Sequence, residues 1–550
     1  MPDNNVKFIP FGEMPGFPNL FLDYISEFEN TSRFYKYDFR NAESYQTVID
    51  SVLKRPTSNQ ADVAGIIEQQ YKHLLPAEKT QANIAALKRK NTVAVVTGQQ
   101  AGIIGGPLYT VYKTFTAIKL AEHLKTLYPK INFVPVFWIE IEDHDFEEIR
   151  HASILDAVSS LKQISYNVED GFLDEHFSVG TIELTAEIDS FFIALEESLR
   201  NTEFTSNMLN ELKRIYRPGR TFKDAFKDLL FSMFDSYGLV LFDPSDKGVK
   251  KFLSDVFINE IENFRWHSAA LIERSAELEE LYHAQVKVRP VNLFYQMEGR
   301  RFNIDPDEDG YFRLRGKKVK FSKEELLNAA SETPELFSPN VLLRPICQDT
   351  LFNTAFYIAG PSEIAYFAQV MPLYSMFDIP EPVIYPRASV TLLEKHLNDI
   401  LIKYNLSIQN LFLNRDNLRD LLLENTLPVS LEDLFESAKN DISAMMAKLR
   451  HGLTQLDKTT GDASERYRVK MISALAEYKS KALAAEELKQ EVLFRHSQKL
   501  LSAIYPDDEL QERCYNMFSY INRYGLEILN TIYDQISILT FDHQIITLWK

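Results

Sequence analysis

Short, almost wholly apolar runs recur along the chain, each cut off by glycine, proline or a knot of charge, and helical stretches separate most of them. This constrains the fold more than any other feature. Strand, loop and helix in alternation is the pattern of an α/β protein, a mostly parallel sheet covered by helices. The runs are Thr92–Thr97, ended by Gly98; Ile131–Ile139; Gly238–Phe242, ended by Asp243-Pro244; Ala355–Ala359, ended by Gly360; and Pro382–Tyr385. The second is apolar nearly throughout, as expected of a strand buried on both faces. Pro135 within it counts against a central position. After Gly98 comes a glycine-punctuated loop to Pro107, then an amphipathic stretch with Leu108, Val111, Phe115 and Ile118 on one face. Pro107 suits the first turn of that helix.

At 550 residues the chain is too long for one ordinary core, and roughly two to four units are expected. Residues 1–158 read as N-terminal helices followed by the first half of the sheet, with residues 1–90 helical and polar. Residues 159–235 are a mixed helical insertion. Residues 236–390 complete the sheet and carry a small β insertion at 285–335, where Asp309-Gly310 marks a hairpin turn within Arg301–Arg313. From about Thr391 the strand signals stop. Phe435, Ala438, Ile442, Met445, Leu449, Gly452 and Leu456 form a heptad seam, broken at Asp457–Asp462. Ile472, Leu475, Tyr478, Ala482, Ala485, Leu488 and Val492 form a looser returning stripe. Residues 391–505 are therefore expected to be a long antiparallel helical hairpin with arms of roughly 45 Å, and 506–550 a C-terminal helical segment. Such an arm cannot bury both faces against itself, so it needs the core or a second chain.

Ligands of an open parallel sheet bind beyond the carboxyl ends of its strands. Three segments should meet there: Gly98–Pro107, Glu140–Glu148 and Gly360–Glu363. The first offers glycines and backbone N–H groups ahead of a helix start suited to an anion. It is neither GxGxxG nor GxxxxGKS, and a plain tight turn remains as good a reading. In the second, Glu142, Asp143, Asp145, Glu147 and Glu148 crowd round His144. Like charges packed so closely call for a cation, an amine or a metal. Asp143 and Asp145 are candidates for an amine or Mg²⁺, and His144 for proton transfer or nucleotide contact. Asp145 with Glu148 also resembles a helix capping box. A third cluster holds Asn340, Arg344, Gln348 and Asp349. Arg344 can clamp a carboxylate or phosphate, or equally serve as a structural partner for one of the many acids.

Composition narrows the possibilities. A net charge of −18 argues against a protein built to grip nucleic acid, and Lys317, Lys318 and Lys320 read as a solvated face. No apolar stretch approaches a membrane span. The two cysteines, Cys347 and Cys514, have no zinc or disulfide spacing, and Cys347 reads as a packed small hydrophobe. With no secretory signal at the start, the cytoplasm is the expected location.

The segments Thr97–Tyr109, Glu142–Glu148, Pro339–Pro345 and Gly360–Glu363 resemble those of the cysteine ligase family of bacillithiol biosynthesis, and the likeness spans essentially the whole chain. It implies a Rossmann-like core with connecting insertions, related at a distance to class I aminoacyl-tRNA synthetases, and a coiled-coil hairpin that forms a homodimer. The implied reaction adds L-cysteine to the glucosamine amine of glucosaminyl malate, giving the low-molecular-weight thiol bacillithiol. Joining a free carboxylate to an amine needs activation, most simply by ATP, alone or as its Mg²⁺ complex. No tightly bound cofactor and no resident metal are expected. Catalysis would fall to Gln100, Asp143, His144 and Asp145. Binding would fall to Gly98, Gln99, Gly102, Gly105, Gly106, Tyr109, Lys113, Glu142, Asn340, Arg344, Gln348, Asp349, Gly360, Ser362 and Glu363. HIGH and KMSKS motifs are absent, which sets nucleotide binding apart from that of the synthetases. Two other readings stay open: a Rossmann-type nucleotide enzyme of different specificity, and a non-enzymatic coiled-coil partner protein. Charge crowded at strand ends favours an enzyme.

Overall fold

The computed structural model describes residues 6–55, 59–168, 177–413, 418 and 431–549. It divides into two units, Met1–Leu392 with Glu509–Leu548, and Leu393–Asp508.

The first unit is built on a five-stranded sheet with the order 383–386, 354–359, 92–100, 132–140, 240–242. All its pairings are parallel. Strands Thr354–Ala359 and Val383–Pro386 are buried at every position, and the Thr92–Gln100 strand is buried up to Gly98, which is why their sequences show no polar alternation. Gly98 does not end its strand, as its composition suggests, but continues it to Gln100, pairing with Trp138. A Cβ at Gly98 would stand 2.8 Å from the Trp138 carbonyl oxygen, so glycine is what lets the two strands run on side by side. Asn132–Glu140 is a central strand despite Pro135. Its outer neighbour Val240–Phe242 pairs only from Val136 onward, so the imide nitrogen sits where that side has no ladder to break.

The helix after the glycine loop begins at Tyr109, not at Pro107. Pro107 bridges to Asn516, and the Leu108 N–H is taken by the Tyr515 carbonyl at 2.8 Å. The C-terminal segment thus occupies the position that local sequence assigns to the first helical turn. A second departure has the same origin. Strands do not stop at Thr391: Ser389–Glu394 and His543–Leu548 form a three-stranded sheet with Val6–Ile9, which pairs antiparallel to His543–Leu548. Neither the first 90 residues nor the last 45 are purely helical, because each holds a strand whose partner lies at the other end of the chain.

The 285–335 insertion forms an antiparallel sheet in the order 320–321, 312–314, 300–306, 293–297, 337–339. Residues 151–165 make a hairpin, followed by the helices Glu187–Ser198, Thr205–Ile215 and Phe222–Phe234.

In the second unit the helix Leu431–Thr454 packs along Lys458–Ile504. The turn is shorter than the expected break, because Asp457 caps the second helix by accepting from the Thr460 N–H at 2.7 Å. Cross-arm pairs move inward together toward the turn: Glu432 with Lys479, Phe435 with Tyr478, Arg450 with Asp462. The buried stripe drifts off the heptad. Phe435 and Met446 are buried, whereas Met445, Leu449 and Leu456 are 45%, 47% and 82% exposed. A straight helix of 3.6 residues per turn walks away from a 3.5-residue repeat, which leaves part of the seam open. The side chains of Ala485 and Leu488 lie outside the described residues. Among the described residues no helix is long and apolar enough to cross a membrane.

Candidate functional site

Beyond the carboxyl ends of the parallel strands lies a cavity of about 760 Å³. Its walls include the end of the 92–100 strand, the acidic loop, the 340–344 turn and the Gly360 turn, so the segments expected to converge do share one cleft.

The glycine loop is held by its surroundings as much as by its own residues. Ile104, Gly105 and Gly106 all have positive φ, which makes the second and third natural glycine positions. The Asn516 amide donates to the Ile104 and Gly106 carbonyls, each at 2.8 Å. Lys113, one helical turn in, donates to the Gly98 carbonyl at 2.9 Å and to Gln99 Oε1 at 3.1 Å, and pairs with Glu363 at 2.5 Å. Glu363 also accepts from the Gly360 N–H and the Tyr357 hydroxyl, each at 2.8 Å. Burial opposes its charge, yet Lys113 and these donors hold its carboxyl below the ordinary range. Lys113 and Glu363 therefore rivet two loops together.

The acids of the second segment separate into different roles. Glu142 turns inward and pairs with buried Lys250 at 2.5 Å. Asp145 caps the short helix Phe146–Ile149, accepting from the Glu148 N–H at 3.1 Å. Asp143 accepts from Gln100 Nε2 at 2.8 Å and lies 3.2 Å from His144 Nδ1 and 3.8 Å from Arg301. Burial works against the Asp143 anion, but the bonds from His144 and the Arg301 charge hold its carboxyl well below the usual carboxylate range. Glu140 accepts from the Trp138 indole N–H at 3.2 Å and the Glu142 N–H at 3.3 Å, and burial raises its pKa. Burial likewise raises Glu148, against a bond from Gln100.

In the third cluster Asn340 is a brace, its Oδ1 accepting from the Leu342 and Leu343 N–H groups at 3.0 Å. Arg344 opens the helix Arg344–Leu351 and is 8% exposed. Its Nη1 donates to Gln348 Oε1 at 3.0 Å, while Nη2 is buried with no partner. Gln348 donates to Asp349, which accepts from the Tyr374 hydroxyl at 2.7 Å. That chain of bonds runs beneath the cleft.

Of the candidates read from sequence, Gly98, Gln99, Gln100, Tyr109, Lys113, Asp143, His144, Asn340, Arg344, Gly360, Ser362 and Glu363 line the cavity. Gly102 and Gly106 line a neighbouring cavity of about 250 Å³, which shares Gln99, Gln100 and Tyr109 with it. Gly105, Glu142, Asp145, Gln348 and Asp349 line neither, the four side chains being spent on pairing, capping or bracing. The structure adds Glu140, Arg301, Arg387 and Arg513 to the walls. Arg387 follows the last parallel strand directly, so the strand-end rule that singled out the other loops also points to it. It pairs with buried Glu512 at 2.7 Å. Arg301 arrives from the β insertion and Arg513 from the C-terminal segment, and nothing in their local sequence marks them. The cleft thus mixes fixed cations with carboxylates in a partly dry setting, suited to holding an anion and an amine side by side.

Comparison with known proteins covers the whole chain. Residues 5–388 match the family description "Bacillithiol biosynthesis BshC, N-terminal Rossmann-like domain", and residues 390–548 match its "C-terminal coiled-coil domain". A protein of Salinibacter ruber is 35% identical over 543 residues, covering 98% of this chain and 97% of its own. One of Chloroherpeton thalassium is 35% identical over 545 residues, with 96% of each covered. One of Bacillus velezensis is 28% identical over 536 residues, covering 96% and 98%. The names of all three carry the words "cysteine ligase BshC".

Proposed function

The chain belongs to the BshC family of bacillithiol biosynthesis, and from that premise we propose that it is a ligase joining the carboxyl of L-cysteine to the amine of glucosaminyl malate at the expense of ATP. The observation that carries this reading is the polar cleft in which the segment Gly98–Gln100, His144 and Arg344 meet.

A carboxylate has no leaving group, so ATP first transfers an adenylyl or phosphoryl group to one of its oxygens. The unprotonated amine then attacks the carbonyl carbon. The bond to the phosphorylated oxygen breaks, and the nitrogen sheds a proton. On this reading His144 takes that proton through Nε2, supported by Asp143, which lies 3.2 Å from Nδ1 and accepts from Gln100 at 2.8 Å. The wall arginines supply donors for the charge that develops on the transferred group. The helical arms serve a homodimer on this reading, supported by the open apolar positions Met445, Leu449 and Leu456.

Mass spectrometry of the reaction with ATP, Mg²⁺, isotopically labelled cysteine and glucosaminyl malate tests the assignment. A product carrying the labelled cysteine is expected. Its absence, or undiminished ligation in His144→Ala and Gln100→Ala, overturns the reading.

A further inference from the structure

We propose that Arg344 and Glu140 together form the receptor for the free amino acid, Arg344 taking its carboxylate and Glu140 its ammonium group. This rests on the reading that an α-amino acid is a co-substrate, and it assigns that substrate to a particular pair.

Two opposite charges line the same cavity and feel each other's field without touching. Among the described residues Arg344 has no carboxylate in ion-pair contact. It is more than nine-tenths buried, and its Nη2 has no hydrogen-bond partner. Glu140 has no cation in contact among the described residues, and both of its hydrogen bonds come from neutral N–H groups, those of Trp138 and Glu142. Several of the other charged groups nearby are already committed. Lys113 pairs with Glu363, Arg387 with Glu512, Glu142 with Lys250, and Asp143 faces His144 and Arg301. A buried charge left without a counter-charge costs free energy that a ligand of opposite sign restores.

The indole between them narrows the kind of ligand. Arg344 lies 5.5 Å from the centre of the Trp138 rings, and the edge of that same indole donates to Glu140. One indole therefore holds the two charges apart while keeping them close. An α-amino acid, with ammonium and carboxylate on one carbon, is the compact zwitterion that two opposite charges flanking one indole would receive. The amine and the malate carboxylates of glucosaminyl malate are separated by the sugar linkage. Burial raises the Glu140 pKa, and an ammonium group arriving beside it would bring it down again.

Thermal-shift titrations of the full chain with L-cysteine, 3-mercaptopropionate (no ammonium) and cysteamine (no carboxylate) separate the two contacts. Cysteine should stabilise the wild type more strongly than either analogue. In Glu140→Gln the affinity for cysteine should fall roughly tenfold or more, as loss of a charged hydrogen bond does, to the level of 3-mercaptopropionate, whose own affinity stays unchanged. In Arg344→Gln both should be lost. The KM for cysteine should rise alone in Glu140→Gln, with those for ATP and glucosaminyl malate near wild type, and Glu140→Asp should recover part of the loss. Far-UV circular dichroism checks that the variants fold, and for any that does not, Glu140→Asp carries the comparison. Retention of cysteine's advantage over 3-mercaptopropionate in Glu140→Gln, or a rise in the KM of glucosaminyl malate instead, overturns the inference. If the wild type ignores cysteine but responds to another α-amino acid, the receptor stands and the cysteine assignment falls. If it responds to no α-amino acid, both fall.

Discussion

Lowering the pH from 7.5 to 5 should cost the folded core about 2 kcal/mol through one side chain, His543. Its ring is wholly buried, with Nδ1 2.7 Å from Ser389 Oγ and Nε2 2.8 Å from Thr391 Oγ1. Burial, opposed by Glu512 and assisted by Arg387, pushes its pKa down to about 4. In an unfolded chain the ring titrates near 6.5. Between those values the unfolded chain binds a proton that the folded chain refuses, so stability is complete above about 6.5 and declines as the pH falls toward 4. Linkage gives a loss of about 2 kcal/mol at pH 5 and a limit of about 3.4 kcal/mol below pH 4. Glu512 leaves this window alone, because, burial notwithstanding, Arg387 holds its carboxyl below the ordinary range. Urea unfolding followed by tryptophan fluorescence at several pH values, on wild type and His543→Gln, measures the effect. The variant should be less stable at pH 7.5 and should recover relative to wild type as the pH drops, by about 2 kcal/mol at pH 5. Two curves that stay parallel across this range would refute the reasoning.

Gly98→Ala places a methyl group 2.8 Å from the Trp138 carbonyl. Prying apart two central strands should cost about 1–3 kcal/mol and displace Glu140, seen as a lower melting temperature with a larger fractional loss of ligation; unchanged melting would contradict it. Lys250→Met leaves Glu142 buried without its cation and should cost about 3–5 kcal/mol, much of which Lys250→Met with Glu142→Leu should restore in denaturant unfolding. Leu449→Glu on the open seam should shift sedimentation from dimer to monomer while far-UV circular dichroism stays unchanged; a dimer that persists would place the interface elsewhere.

Much of this could be read from the chain in one dimension. The parallel strands, the helical hairpin and the loops around Gly98, His144, Arg344 and Gly360 announce themselves because their causes are local: runs without polar alternation, repeats near 3.5 residues, glycine where a turn needs it. The likeness to the ligase family rests on the same segments. Side-chain commitments were not legible in this way. Glu140 and Glu142 stand two residues apart and are chemically alike, yet one faces the cleft and the other is cancelled by Lys250, a residue 108 positions away. Arg301 and Arg513 come to the cleft from an inserted sheet and a distant C-terminal segment. The strands Val6–Ile9 and His543–Leu548 exist because they pair with each other. Hydrogen bonds and ion pairs act over a few ångströms in space whatever the separation along the backbone, so a residue's neighbours in sequence reveal its conformation far better than they reveal its partner.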